Sequence, residues 1–131
     1  MSATSSLGTL SGQKIMAFAA TTDAAKAKAF YGGVLGLPLL SDDGFALAFD
    51  AAGTMLRVQI VQEVAAAPYT VLGWHVSDIA ATARALQAAG VRFARYPGMA
   101  QDDLGVWQSP AGSKVAWFTD PDGNTLSIAQ F

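Results

Sequence analysis

A chain of 131 residues that is 52% hydrophobic and only 14% charged carries the material of one globular domain and is too apolar for disorder. The net charge of −2, with eight basic residues scattered singly, builds no phosphate-tracking stripe and argues against a nucleic-acid partner. The absence of cysteine excludes disulfides, thiolate nucleophiles and Cys-bound zinc, and no apolar run approaches the roughly 18 residues that span a bilayer, so a soluble, cytoplasmic protein is expected.

Residues 1–13 are rich in Ser, Thr and Gly, without the basic start and long apolar core of a secretory signal, and are expected to form a flexible tail ahead of one domain over 14–131. Lys14 to Asp23 then reads as an apolar, β-compatible run ending on Thr-Asp. Asp23 is placed to cap a helix over 24 to about 33, with Ala27, Phe30 and Tyr31 at helical spacing. Three short strands should follow, Leu37 to Leu40, Phe45 to Phe49 and Met55 to Gln62, punctuated by Gly44 and Gly53.

The same order returns. Tyr69 to Asp78 is a second apolar run ending on Ser-Asp, and Asp78 caps a helix over 79–89 that Gly90 stops. Strand signals then cover Val91 to Tyr96, Gly105 to Gln108 with Lys114 to Thr119, and Thr125 to Gln130. The last is set off by Asp120-Pro121-Asp122-Gly123-Asn124, where Pro fixes φ at the second turn position and Gly accepts positive φ after it. The chain thus reads as a βαβββ unit written twice, over about 14–64 and 69–131, an α+β fold. Neither copy can bury its sheet and helix well alone, so the two should share one core.

Phe30 to Leu39 (FYGGVLGLPL), the Ser77-Asp78 helix entry, Ala88 to Val91 (AAGV) and Asp120 to Asn124 (DPDGN), at these separations, resemble the vicinal oxygen chelate superfamily of glyoxalase I, bleomycin-resistance proteins and extradiol dioxygenases. The resemblance implies two βαβββ modules whose mixed sheets form a cup, with the helices on its convex face. Metal-dependent relatives aim four ligands into that cup from the first and last strand of each module. Here those places fall on Met16, Arg57 (Gln59 after a two-residue shift), Val71 and Ser127. Met16 and Val71 each lie seven residues before their capping Asp, and Arg57 and Ser127 each lie four after a turn Gly. Divalent transition metals take imidazole, carboxylate or thiolate, and this quartet offers none. With one His, one Glu and nine Asp, most of them in caps, turns and loops, a site would need His75, Glu63 and an Asp or Gln59 to converge. No metal and no other cofactor is expected.

Strand alternation sorts what lines the cup. Met16 and Phe18 share a face with Arg57 and Gln59, and Val71, Gly73 and His75 share one with Ser127. This is an apolar wall with a few polar groups, as in small-molecule pockets. His75 is open to a structural role, to ligand contact with general acid–base work, or to metal ligation. Arg57 reads as a surface residue or as a guanidinium holding an anionic or carbonyl-bearing ligand. Ser127 has no nucleophile-elbow context and reads as a hydrogen-bonding group. Trp74 and Trp117 are expected in the core. Trp107 follows the movable-looking loop Pro97 to Leu104 and is placed to close over a ligand, to serve a dimer contact or to pack at the rim. The function that follows is a metal-free protein binding a planar or amphipathic small molecule. The alternative is a divergent lyase, isomerase or dioxygenase-like enzyme using His75 and Arg57, with or without a weakly bound metal. Spare sheet edges and the resemblance together imply a homodimer.

Overall fold

The computed structural model describes residues 8–131, so most of the tail expected over 1–13 lies outside the described residues. The chain builds β1 (Ala17–Thr21), α1 (Ala24–Ala27) continued by a π-helical segment (Lys28–Val34), β2 (Leu39–Asp42), β3 (Ala46–Ala51) and β4 (Thr54–Ile60). The second half repeats the order with β5 (Thr70–His75), α2 (Ile79–Ala88), β6 (Trp107–Gln108), β7 (Lys114–Thr119) and β8 (Thr125–Gln130). Each half forms one four-stranded mixed sheet, ordered β1-β4-β3-β2 and β5-β8-β7-β6. In each the first strand runs parallel to the last and the others pair antiparallel. The sheets meet where β1 and β5 come into contact.

Both helix entries are capped as the sequence predicts. Asp23 accepts from the amide of Lys26 at 3.1 Å, and Asp78 from that of Ala81 at 3.1 Å. α2 ends in a Schellman arrangement: Gly90 takes φ +103° and the Val91 amide reaches back to the Leu86 carbonyl at 2.9 Å. The first helix departs from expectation in its pitch. Leu35 N–H bonds to the Phe30 carbonyl, five residues back, at 2.9 Å. The wider turn over Gly32-Gly33 lets two successive rings, Phe30 and Tyr31, both face inward, 5.2 Å apart and edge-on.

One apolar cluster joins the halves. Leu47, Phe49, Leu56 and Val58 of the first sheet pack with Ala116, Phe118, Leu126 and Ile128 of the second, under Ala27, Tyr31, Ile79 and Ala83 of the helical segments. The helices therefore lie on the face these residues share, and the opposite face of each sheet is open.

The Asp120–Asn124 turn is also a polar lock between halves. The buried Asp120 carboxylate accepts from Tyr31 Oη at 2.6 Å, Asn124 Nδ2 at 2.7 Å, and the amides of Asp122 and Asn124 at 3.0 and 2.9 Å. Asn124 Nδ2 also donates to the Ala20 carbonyl of β1 at 2.9 Å. Burial, then the hydrogen bond and charge of Asp120, push the Tyr31 phenol far above its usual range. Beside it, Asp122 accepts from the Thr21 hydroxyl at 2.5 Å and from the Thr22 amide and hydroxyl at 2.9 and 2.7 Å. Partial burial works to raise the Asp122 carboxyl, but these bonds and the charge of Lys26 outweigh it and hold the group below the ordinary range.

That shift has a sign. A carboxylate lowered in the folded state contributes stability above its unfolded value, near pH 4, which is lost as pH falls through the lower native value. Urea midpoints taken from pH 6 down to pH 2.5 should fall more gently for Asp122→Asn than for the parent. Parallel acid limbs would remove Asp122 from the acid response.

The segment 91–96, predicted as a strand, is not one, though it touches the sheet. Its Ala94 amide bonds to the Trp117 carbonyl at 2.7 Å. The Gln101 side chain supplies the rest of a strand partner, donating to Ala94 O and Gly105 O and accepting from Tyr96 N, each at 2.8 Å. Arg95 donates to the carbonyls of Asp102 and Asp103, and Asp102 Oδ1 accepts from the amides of Leu104 and Val106. The 97–104 loop, read from sequence as movable, is thus tied to its own base.

Candidate functional site

Pairing registers place the sequence-selected residues. On the open face of the first sheet, Arg57 of β4 stands between Phe18 of β1 and Ala48 of β3. On that of the second, Ser127 of β8 stands between Gly73 of β5 and Trp117 of β7. The rows match position for position, so Arg57, not Gln59, is the counterpart of Ser127. Phe18 is the counterpart of Gly73. A Cβ at Gly73 would sit 2.9 Å from Ser127 Oγ, so a side chain there would make that hydroxyl turn.

The face is apolar and accessible at Met16, Phe18 and Val71, whereas Ala48 and Ser127 on it are buried. Met16 is 45% exposed, Phe18 48% and Val71 39%, large exposures for such side chains. Met16 precedes β1 by one residue and lines a shallow depression with Ile15, Leu40, Asp50 and Met55. Gly73, His75 and Ser127 line a separate depression with Phe131, whose ring lies 5.1 Å from that of His75. Gln59 is exposed on β4, and Arg57 is half-buried. The amides of Ala46 and Phe45, then the charge of Arg57, hold the Asp43 carboxyl below its ordinary range, so the guanidinium lies within electrostatic reach of the β2–β3 turn. Arg57 and His75 are on different sheets; His75 lines the second of these depressions and Arg57 lines neither.

Trp107 is half-buried and has company that the sequence reading placed elsewhere. Trp117, expected in the core, lies on the open face because Ala116 and Phe118 occupy the core side of β7. Its ring stands 6.1 Å from Trp107 and 5.6 Å, edge-on, from Tyr96. The alternation in Lys114 to Thr119 was the signal that could have placed it. Trp74, by contrast, packs against the core cluster as expected.

The four positions that resemblance reserves for metal ligands carry a thioether, a guanidinium, an alkyl group and a hydroxyl. A fixed cation and a hydrocarbon do not fit a divalent metal. Among the described residues no three His, Cys, Asp or Glu side chains come together, so His75, Glu63 and an Asp do not converge on an alternative site.

The comparisons agree with this architecture. Residues 14–128 match the family model of the Glyoxalase/Bleomycin resistance protein/Dioxygenase superfamily. No curated protein matches the sequence. A lactoylglutathione lyase structure from Agrobacterium tumefaciens is similar with a TM-score of 0.69 at 20% identity, covering 90% of this chain and 93% of that one. A glyoxalase/bleomycin resistance protein/dioxygenase structure from Nocardioides gives 0.70 at 18% identity, covering 98% and 89%. Another from Alicyclobacillus acidocaldarius gives 0.66 at 18%, covering 92% of both chains. At these identities the structures speak for the fold, and the sequence match speaks for the lineage: the chain belongs to the glyoxalase/bleomycin resistance/dioxygenase superfamily, the vicinal oxygen chelate group.

Proposed function

We propose that this chain is a metal-free small-molecule-binding protein that holds a planar or amphipathic ligand on the open face of its sheets, as a cytoplasmic homodimer. The observation that carries the reading is the replacement of the whole ligand quartet by Met16, Arg57, Val71 and Ser127 beside the ring group Tyr96, Trp107 and Trp117. Aromatic rings supply large contact area for a planar partner, and Arg57 and Ser127 supply a cation and a hydroxyl for orientation. Exposed apolar side chains on this face, Met16 and Phe18 among them, also favour a second copy nearby.

Native mass spectrometry on protein purified without chelators or affinity nickel tests the reading. A dimer without metal, bare or carrying an organic mass, is expected. If an organic mass is retained, Trp117→Ala should weaken that retention about tenfold or more. One divalent metal per subunit would overturn the proposal and send attention to His75 and Glu63.

A further inference from the structure

The helix-bearing side holds a cavity that none of the residues proposed for the open-face site lines. It measures about 140 Å³ and opens between the exit of the π-helical segment, at Leu35 and Leu37, and one stripe of α2, at Thr82 and Leu86. Trp74 and Phe118 line it as well. Leu35 and Leu37 belong to the first half of the chain and the other lining residues to the second, so the cavity sits on the junction.

Its chemistry selects its occupant. The lining is hydrocarbon and aromatic apart from the Thr82 hydroxyl, which already donates to the Asp78 carbonyl at 2.9 Å. A bound water needs two to four polar partners, which this lining does not offer, so an apolar occupant displaces only loosely held water. A partner helix needs a long groove with successive anchor points, which this short recess lacks. The two aromatic side chains favour a flat ring over an alkyl chain of the same bulk. The wall itself is set by the five-residue closure onto Phe30, and π-helical turns of this kind recur at functional sites.

We propose that this cavity binds a small neutral aromatic molecule, at a site separate from the open face, and that occupancy ties the two halves together. The probe is benzene. Titrated into full-length protein labelled at its methyl groups, it should give saturable shifts at Leu35, Leu37, Leu86 and Ile128, and it should raise the melting temperature by linkage. Thr82→Leu and Leu86→Phe each place bulk in the cavity and should weaken benzene binding at least tenfold. The second variant guards against a fold effect of the first. No saturable shift up to the solubility of benzene, shifts gathered instead at Met16 and Val71, or unchanged affinity in both variants would each overturn the assignment.

Discussion

Asp120→Ala is expected to cost about 3–5 kcal/mol of folding stability, one of the largest losses open to a single polar substitution in this chain. The carboxylate is 5% exposed and accepts four hydrogen bonds. Its removal leaves the Tyr31 hydroxyl, buried with its ring, and the Asn124 amide group short of a partner, and each orphaned buried donor costs about 1–3 kcal/mol. Tyr31→Phe removes one of those bonds and keeps the ring, so it should lose only about 1.5–3 kcal/mol, the range for a bond to a charged group. Tyr31 belongs to the first half and Asp120 to the second, so a double-mutant cycle on the pair reads coupling between halves directly. Equilibrium urea unfolding of the parent, both single variants and the double variant supplies the numbers. Additive losses would mean that the Tyr31–Asp120 bond does not couple the halves, leaving that to the Asp122 and Asn124 bonds to β1 and its exit and to the apolar cluster.

That lock was only half legible in the sequence. The turn could be read from Pro121 and Gly123, because the backbone angles they favour are local properties. Its partners Tyr31, Thr21 and Ala20 are some hundred residues away along the chain, and nothing in a local pattern names them. Elsewhere the same division holds. The repeat, both capping aspartates and Gly90 as a helix stop follow from short-range rules, and β7 and β8 fall where period-two alternation puts them. The π-helical pitch of Lys28–Val34 did not, since it answers to where two rings must go in the tertiary core. Residues 91–96 look like a strand because they alternate well enough, but only Ala94 bonds to β7, through the Trp117 carbonyl, and the Gln101 side chain takes the other partners of Ala94 and Tyr96.

For the site, spacing from caps and turns put Arg57 and Ser127 at equivalent places, and the strand registers agree. The step that sequence reasoning missed was parity within β7. Large rings were assigned to the core by size, whereas alternation assigns Trp117 to the open face beside Trp107. Size is a statistical preference, and strand geometry is a constraint. The constraint wins.

Gly105→Ala should cost about 2–5 kcal/mol, the sum of about 1–2 for a side chain at left-handed φ and about 1–3 for forcing extra bulk into packed surroundings. Gly105 holds φ +85°, and a Cβ there would fall 2.8 Å from Phe93 Cβ, an atom fixed to the backbone and unable to swing aside. Gly98 is the matched control: its φ is +78°, yet an added Cβ meets nothing within 4 Å, so Gly98→Ala carries the backbone cost alone. The difference between the two variants isolates the collision. Its consequence reaches the open face, because Gly105 O accepts from Gln101 and Trp107 follows two residues later, bridged to Gln101 and paired with Val115. Shifting this strand start should disturb the 6.1 Å contact between Trp107 and Trp117, visible as a change in near-ultraviolet circular dichroism that Gly98→Ala does not produce. If the two variants unfold at the same urea concentration with matching spectra, Phe93 yields and the loop tolerates the change. In that case the aromatic group on the open face is held by β7 and its own packing, and the tied loop matters less to ligand binding than its hydrogen bonds suggest.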